Sequence, residues 1–135
     1  MRLWVVAWLP VALWAAVIFG LSSIPGMLLP PVDLPQVDKL AHLLVYAVLG
    51  ALVLRGVDRH GQRRSLRPRD FLLTIAVTTL YGVSDEVHQH WTPNRTPDWH
   101  DVVADALGGA LGSLALVATR WMKIRVCLMM GRSKN

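Results

Sequence analysis

The amino-acid sequence predicts an all-α integral membrane four-helix bundle, a single domain over residues 1–135 with both termini cytoplasmic. Three observations predict it. Four long apolar runs carry almost no charge within them, and basic residues gather in alternate connections between those runs. The 135 residues, 53% hydrophobic and 17% charged, are used on these runs and their connections, with no room for a separate soluble catalytic domain. A lone cysteine, Cys127, forms no internal disulfide, so a stapled secreted scaffold is excluded.

The first run, Leu3 to Leu21, has no charged residue. About 20 apolar residues cross a hydrocarbon core of roughly 30 Å, so a span over 3–21 is expected. A cleaved signal peptide is the competing reading, since Arg2 precedes the run. The run exceeds the about 7–15 residues of a signal-peptide core, and no A-x-A-like site follows it. Pro10 bends such a helix mildly, which membrane helices tolerate. The second run, Leu40 to Leu54, carries His42 and Tyr46 and predicts a helix over 38–54. The third begins at Phe71 and stays apolar or hydroxylic to Val83 before meeting Ser84, Asp85 and Glu86, which predicts 70–90. The fourth, Val102 to Met122, has Asp105 near its start and glycines through its middle, which predicts 101–122. Runs two and three are short on apolar residues alone. Each is expected to recruit its polar flank as an extra helical turn.

The connections sort by charge. Arg2, the loop from Arg55 to Arg69 and the carboxyl-terminal segment hold 12 of the 14 basic residues; only Lys39 and Arg95 lie in the other two connections. Seven of the nine acids fall on that second side: Asp33, Asp38, Asp85, Glu86, Asp98, Asp101 and Asp105. Cytoplasmic loops collect Lys and Arg, which places both termini inside. The net charge of +5 is therefore a topology signal beside anionic lipid, and nucleic acid is not an expected partner.

The first outer connection, with Pro25, Pro30, Pro31 and Pro35, reads as an ordered extended loop. The second, Trp91 to Trp99, has turn-forming Pro and Asn between interfacial Trp rings, and Asp98 is placed to cap the fourth helix. Asp38 could likewise be a helix cap.

The adjoining helix ends carry the chemistry. Asp38, His42 and Tyr46 recur every four residues on the second helix; Tyr81, Asp85 and Gln89 do so on the third; Asp101 and Asp105 on the fourth. Ionisable groups at membrane depth are costly and face a bundle interior or a wet cavity, so a shared polar pocket on the outer side is expected. Glu86 lies about 100° from Asp85 around its helix, so one of the pair is expected at the interface. His42 could pair with Asp38. His88 and His90 diverge on a helix, and His90 and His100 read as interfacial. Ala104, Gly108 and Gly112 form a small-residue seam for close packing.

These segments together resemble the VanZ-like family of small bacterial membrane proteins. The resemblance rests on Phe19-Gly20-Leu21-Ser22-Ser23-Ile24-Pro25, Asp38-Lys39-Leu40-Ala41-His42-Leu43-Leu44-Val45-Tyr46, Ser84-Asp85-Glu86-Val87-His88-Gln89, Arg95, and Asp101-Val102-Val103-Ala104-Asp105-Ala106-Leu107-Gly108, in order over roughly 15–115. Asp105 stands where the family often has Asn, and His90 and Trp91 replace the more usual aromatic-and-aliphatic pair. The resemblance implies a multi-pass protein of the bacterial cytoplasmic membrane and a link to resistance to the glycopeptide teicoplanin. It implies no mechanism.

Three functions compete. The first is binding or modification of a lipid-linked envelope component at the outer leaflet, with Arg95 and Lys39 meeting an anionic head group and Tyr46, Glu86, Gln89, Asp101 and Asp105 among the ligand-binding groups. The second is a membrane-boundary hydrolase or transferase. His42 would be its general base with Asp38 orienting the ring, and Asp85 would join the catalytic set. No cofactor is demanded by the sequence, but Asp85, Glu86 and Asp101 offer hard oxygen ligands for a divalent cation. Ser22, Ser23 and Ser84 are nucleophile candidates by proximity alone. The third reading is a structural bundle held by interhelical hydrogen bonds.

Overall fold

A computed structural model of the chain describes residues 2–28, 35–60 and 66–132. The described residues form α1 (Arg2–Ser22), a 3-10 turn (Gly26–Leu28), α2 (Pro35–His60), α3 (Pro68–Gln89) and α4 (Trp99–Arg132). Pro30, Pro31 and Asp33 of the α1–α2 connection, Arg63 and Arg64 of the basic connection, and Lys134 lie outside the described residues.

Three of the helices are long and apolar enough to cross a membrane, over Trp4–Ser22, Val37–Asp58 and Trp99–Cys127. The fourth, α3, has 22 residues and so about 33 Å of length at 1.5 Å per residue, but Asp70, Asp85 and Glu86 lower its apolarity. All three acids are buried against the rest of the protein. The outward surfaces are apolar: Leu9, Leu13, Leu44, Leu72, Leu80 and Leu114 are each at least half exposed. Soluble monomers rarely expose apolar patches beyond a few hundred Å2, so this coat is a surface made for lipid.

The helices outrun their apolar runs. Continuation of α4 past Met122 to Arg132 is favoured by the helix propensity of its Lys, Arg, Leu and Met residues, whereas that of α2 through Arg55 to His60 is held by tertiary contacts, Gly56 against Ala7 and Trp8 and Asp58 paired with Arg120. Pro35, expected in the extended loop, instead opens α2 at its first position, where the missing N–H has no intrahelical partner to lose. Pro68 plays the same part in α3, where the Asp70 carboxylate accepts the Arg67 N–H at 2.8 Å.

The largest interface joins α2 to α4. It is a backbone contact made possible by glycine. A Cβ on Gly112 would collide with the Ala47 carbonyl, one on Gly108 with the Leu43 carbonyl, and one on Gly50 with Gly109. The expected small-residue seam is therefore present and is matched by Gly50 on the facing helix. On the other flank, Ile18, Tyr46, Leu49 and Val53 form the buried apolar core, with Trp8, Trp14 and Tyr81 packed against it. Two hydrogen bonds tie α1 to its neighbours: Trp14 Nε1 donates to the Val45 carbonyl at 2.9 Å, and Tyr81 Oη to the Ala15 carbonyl at 2.6 Å.

Candidate functional site

The α1–α2 and α3–α4 connections lock together. Gly26 N–H donates to the Pro93 carbonyl at 3.0 Å, and any Cβ on Gly26 would collide with the Asn94 backbone. Asn94 adopts a left-handed conformation (φ 56°), which Asn tolerates better than most residues. Thr92 Oγ1 reaches the Ser22 carbonyl at 3.3 Å. Arg95 donates from Nε to the Ile24 carbonyl and from a terminal nitrogen to the Leu21 carbonyl, both at 3.4 Å. The end of α1 is thus fastened to the α3–α4 connection.

Beneath this clasp lies a cavity of about 210 Å3. Asp38, His42 and Tyr46 of α2 line it together with Asp85 and Gln89 of α3, Ser22 of α1 and Arg95. Ile18, Leu21, Ile24, Ala41 and Val45 form its apolar wall. The polar stripes of α2 and α3 therefore meet in one place. Asp101, Asp105, Lys39 and Glu86 do not line the cavity; each is engaged in contacts of its own.

Those contacts revise several sequence expectations. His42 is oriented by Asp105 rather than Asp38: its Nδ1 lies 3.0 Å from Asp105 Oδ1, and Asp105 is fully buried. Room for that carboxylate comes from Gly82 of α3, where a Cβ would collide with Asp105 Oδ2. Asp38 is not a helix cap, because α2 begins at Pro35 and places it within the first turn. It is exposed and makes no hydrogen bond or ion pair among the described residues. Lys39 does not face the cavity as a free cation. It bridges Asp98 Oδ2 at 2.7 Å and Asp101 Oδ1 at 3.2 Å. Glu86 is buried like Asp85, not interfacial, because its Oε2 accepts the Asp98 N–H at 2.8 Å and anchors the loop.

Other expectations hold. Asp98 caps α4 by accepting the His100 N–H at 2.9 Å, and His90 and His100 are exposed. The Lys39 ammonium, helped by the His100 N–H, holds the Asp98 carboxyl below the ordinary carboxylate range. His88 faces α1, with Nε2 3.0 Å from Ser23 Oγ and its ring against Phe19.

Three buried polar atoms have no hydrogen-bond partner among the described residues: Tyr46 Oη, Glu86 Oε1 and Asp105 Oδ2. The proposed cation ligands Asp85, Glu86 and Asp101 do not come together; Asp85 instead accepts from Gln89 Nε2 at 3.3 Å. The group with ligand spacing among the described residues is Asp38, His42 and Asp101, whose ligand atoms lie within 4.8 Å of one another.

This ordered placement over four helices can be compared with known proteins. A model of the VanZ/LLP1 family matches residues 4–120. The chain belongs to the VanZ/LLP1 family. No curated protein and no solved structure matches it. The family match covers every element that builds the cavity, from α1 through the glycine seam of α4. It joins the apolar exterior in marking this family member as a membrane protein. Sequence reasoning offered Ser22 of α1 by proximity alone and missed the apolar wall that α1 gives the cavity. Its lining residues Ile18 and Leu21 sit in a uniformly apolar run without a polar stripe to mark one face.

Proposed function

We propose that the cavity binds the anionic head group of a lipid-linked cell-envelope component, entering from the outer leaflet. One observation carries the reading. Arg95 lines the cavity without a carboxylate partner among the described residues, whereas Lys39 is paired with both Asp98 and Asp101. A guanidinium has five N–H donors in a planar fork, so its two long bonds to carbonyls leave donors for a phosphate or carboxylate. The orphaned Tyr46 hydroxyl at the same cavity adds support, since buried polar atoms in native proteins nearly always have a partner. The apolar wall of Ile18, Leu21 and Val45 suits the first methylenes of a lipid tail.

In this reading all four helices cross the bacterial cytoplasmic membrane and both termini are cytoplasmic. The charge distribution supports that orientation, with the basic connection inside and the cavity outside. Glycopeptides act on wall precursors outside the same membrane, which connects the site to teicoplanin susceptibility.

The test compares binding of a polyprenyl phosphate and phosphatidylglycerol with phosphatidylcholine, using purified protein and native mass spectrometry. A charge-assisted bond to the head group contributes about 1.5–3 kcal/mol, so Arg95→Gln should cost about tenfold or more in anionic preference. Arg95→Lys should recover only part, because it keeps charge but not the fork. Undiminished preference for the anionic lipids in Arg95→Gln would end this reading.

A further inference from the structure

Two cavity-lining residues of α2, Asp38 and His42, belong to a second grouping that the lipid reading does not use. Asp38 and His42 are four residues apart, so they share one face of α2, and Asp101 comes to them from the first turn of α4. Their ligand atoms lie within 4.8 Å of one another. Zinc bonds of about 2.0–2.2 Å put tetrahedral ligand atoms roughly 3.3–3.6 Å apart, so closing the trio takes a shift of about one ångström. Asp38, exposed and unpaired among the described residues, can supply it.

Two independent observations point to a cation. The first is the carboxylate behind the imidazole. Metal-bound histidines almost always give their other ring nitrogen to a carboxylate, carbonyl or water, which fixes the tautomer and aims the free nitrogen at the metal. His42 places Nδ1 3.0 Å from fully buried Asp105, so Nε2 is the ring nitrogen left free for a metal. The second is uncompensated negative charge. Asp85, Glu86, Asp101 and Asp105 are all at least nine-tenths buried, and Glu86 Oε1 and Asp105 Oδ2 lack any donor among the described residues. Lys39 engages Asp98 and one oxygen of Asp101 and His42 faces Asp105, which leaves Asp85 and Glu86 without a basic partner among the described residues. A bound divalent ion is then the largest positive charge available locally.

We propose that Asp38, His42 and Asp101 bind one first-row divalent cation beside the cavity, with Asp105 as the residue that positions the imidazole. One imidazole and two carboxylates suit zinc or manganese better than magnesium or calcium, which favour all-oxygen sites. The inference goes beyond the head-group reading, and its test uses no lipid.

Chelator-stripped protein in detergent is dialysed against zinc alone and manganese alone, and bound metal is counted by elemental analysis. One equivalent of at least one metal per chain is expected. Asp38→Asn and His42→Gln should each lose it. Asp38 has no hydrogen bond or ion pair among the described residues, so its substitution separates metal loss from misfolding. Asp105→Ala should weaken binding about 10–100-fold, with Asp105→Asn recovering much of it because an amide oxygen still accepts from Nδ1. Replacement by cobalt(II) gives a visible spectrum that should change in Asp105→Ala even at saturating metal, a change that simple loosening of the bundle does not produce. Stoichiometric metal that survives both Asp38→Asn and His42→Gln overturns the proposal. So does a wild-type chain that holds neither metal above the detergent blank.

Discussion

Breaking the His42–Asp105 contact should destabilise the bundle far more than an ordinary interhelical hydrogen bond does. The two groups are 3.0 Å apart across α2 and α4, with Asp105 fully buried. At an effective dielectric of about 20, unit charges at that separation attract by about 5–6 kcal/mol, before desolvation removes several kcal/mol per ion. The remainder falls in the range of about 1.5–3 kcal/mol measured for hydrogen bonds to charged groups. Neutral interhelical bonds in membrane bundles average only about 0.6 kcal/mol, with a maximum near 1.7. A double-mutant cycle of His42→Leu, Asp105→Leu and the pair, unfolded by sodium dodecyl sulfate in mixed micelles with chelator present, reads the coupling directly. The chelator removes any contribution from bound cation. A coupling of about 1.5–3 kcal/mol is expected, with the double variant milder than the sum of the singles because no polar group is then stranded. A value at or below about 0.6 kcal/mol refutes the idea that this pair is more than packing.

Two further outcomes follow from named contacts. Gly112→Ala should lower the unfolding midpoint by the equivalent of about 1–3 kcal/mol, since its Cβ would meet the Ala47 carbonyl and drive α2 from α4. Gly20→Ala, where nothing lies within 4 Å, should instead be neutral or stabilising by up to about 1 kcal/mol through helix propensity; equal losses at both sites would contradict the seam. The Asp98 carboxyl is held below its unfolded value of 3.8 by Lys39 and His100. Its contribution is therefore fully present above the unfolded value and is lost as pH falls below 3.8 toward the folded one. Asp98→Asn keeps a helix cap of equal quality and removes the ion pair. Thermal unfolding of the variant should show a shallower loss between pH 5 and pH 3 than the wild type, and identical slopes would count against the Lys39 contact.

Legibility in the sequence was uneven for physical reasons. The four helices, the lipid-facing exterior and the polar stripes were readable because a membrane imposes length and charge rules on each segment separately. Asp38, His42, Tyr46, Asp85, Gln89 and Arg95 do meet at one cavity. Partner choice was not readable. Asp38 is one helical turn from His42 and looks like its natural partner, yet Asp105, 63 residues away, takes the ring. Lys39 looked like a head-group ligand until α4 brought Asp98 and Asp101 to it.

The sequence by itself determined that four apolar helices form and that most of the acids gather at one end of them. Those properties depend on local composition and periodicity. Only the tertiary structure decided which carboxylate holds which cation, that α1 closes the cavity, and that Glu86 supports a loop instead of joining a ligand set. The reason lies in the glycine contacts between α2 and α4 and at Gly82 of α3. They set the depth and rotation at which the helices meet, and a shift of one residue there would pair every polar side chain differently.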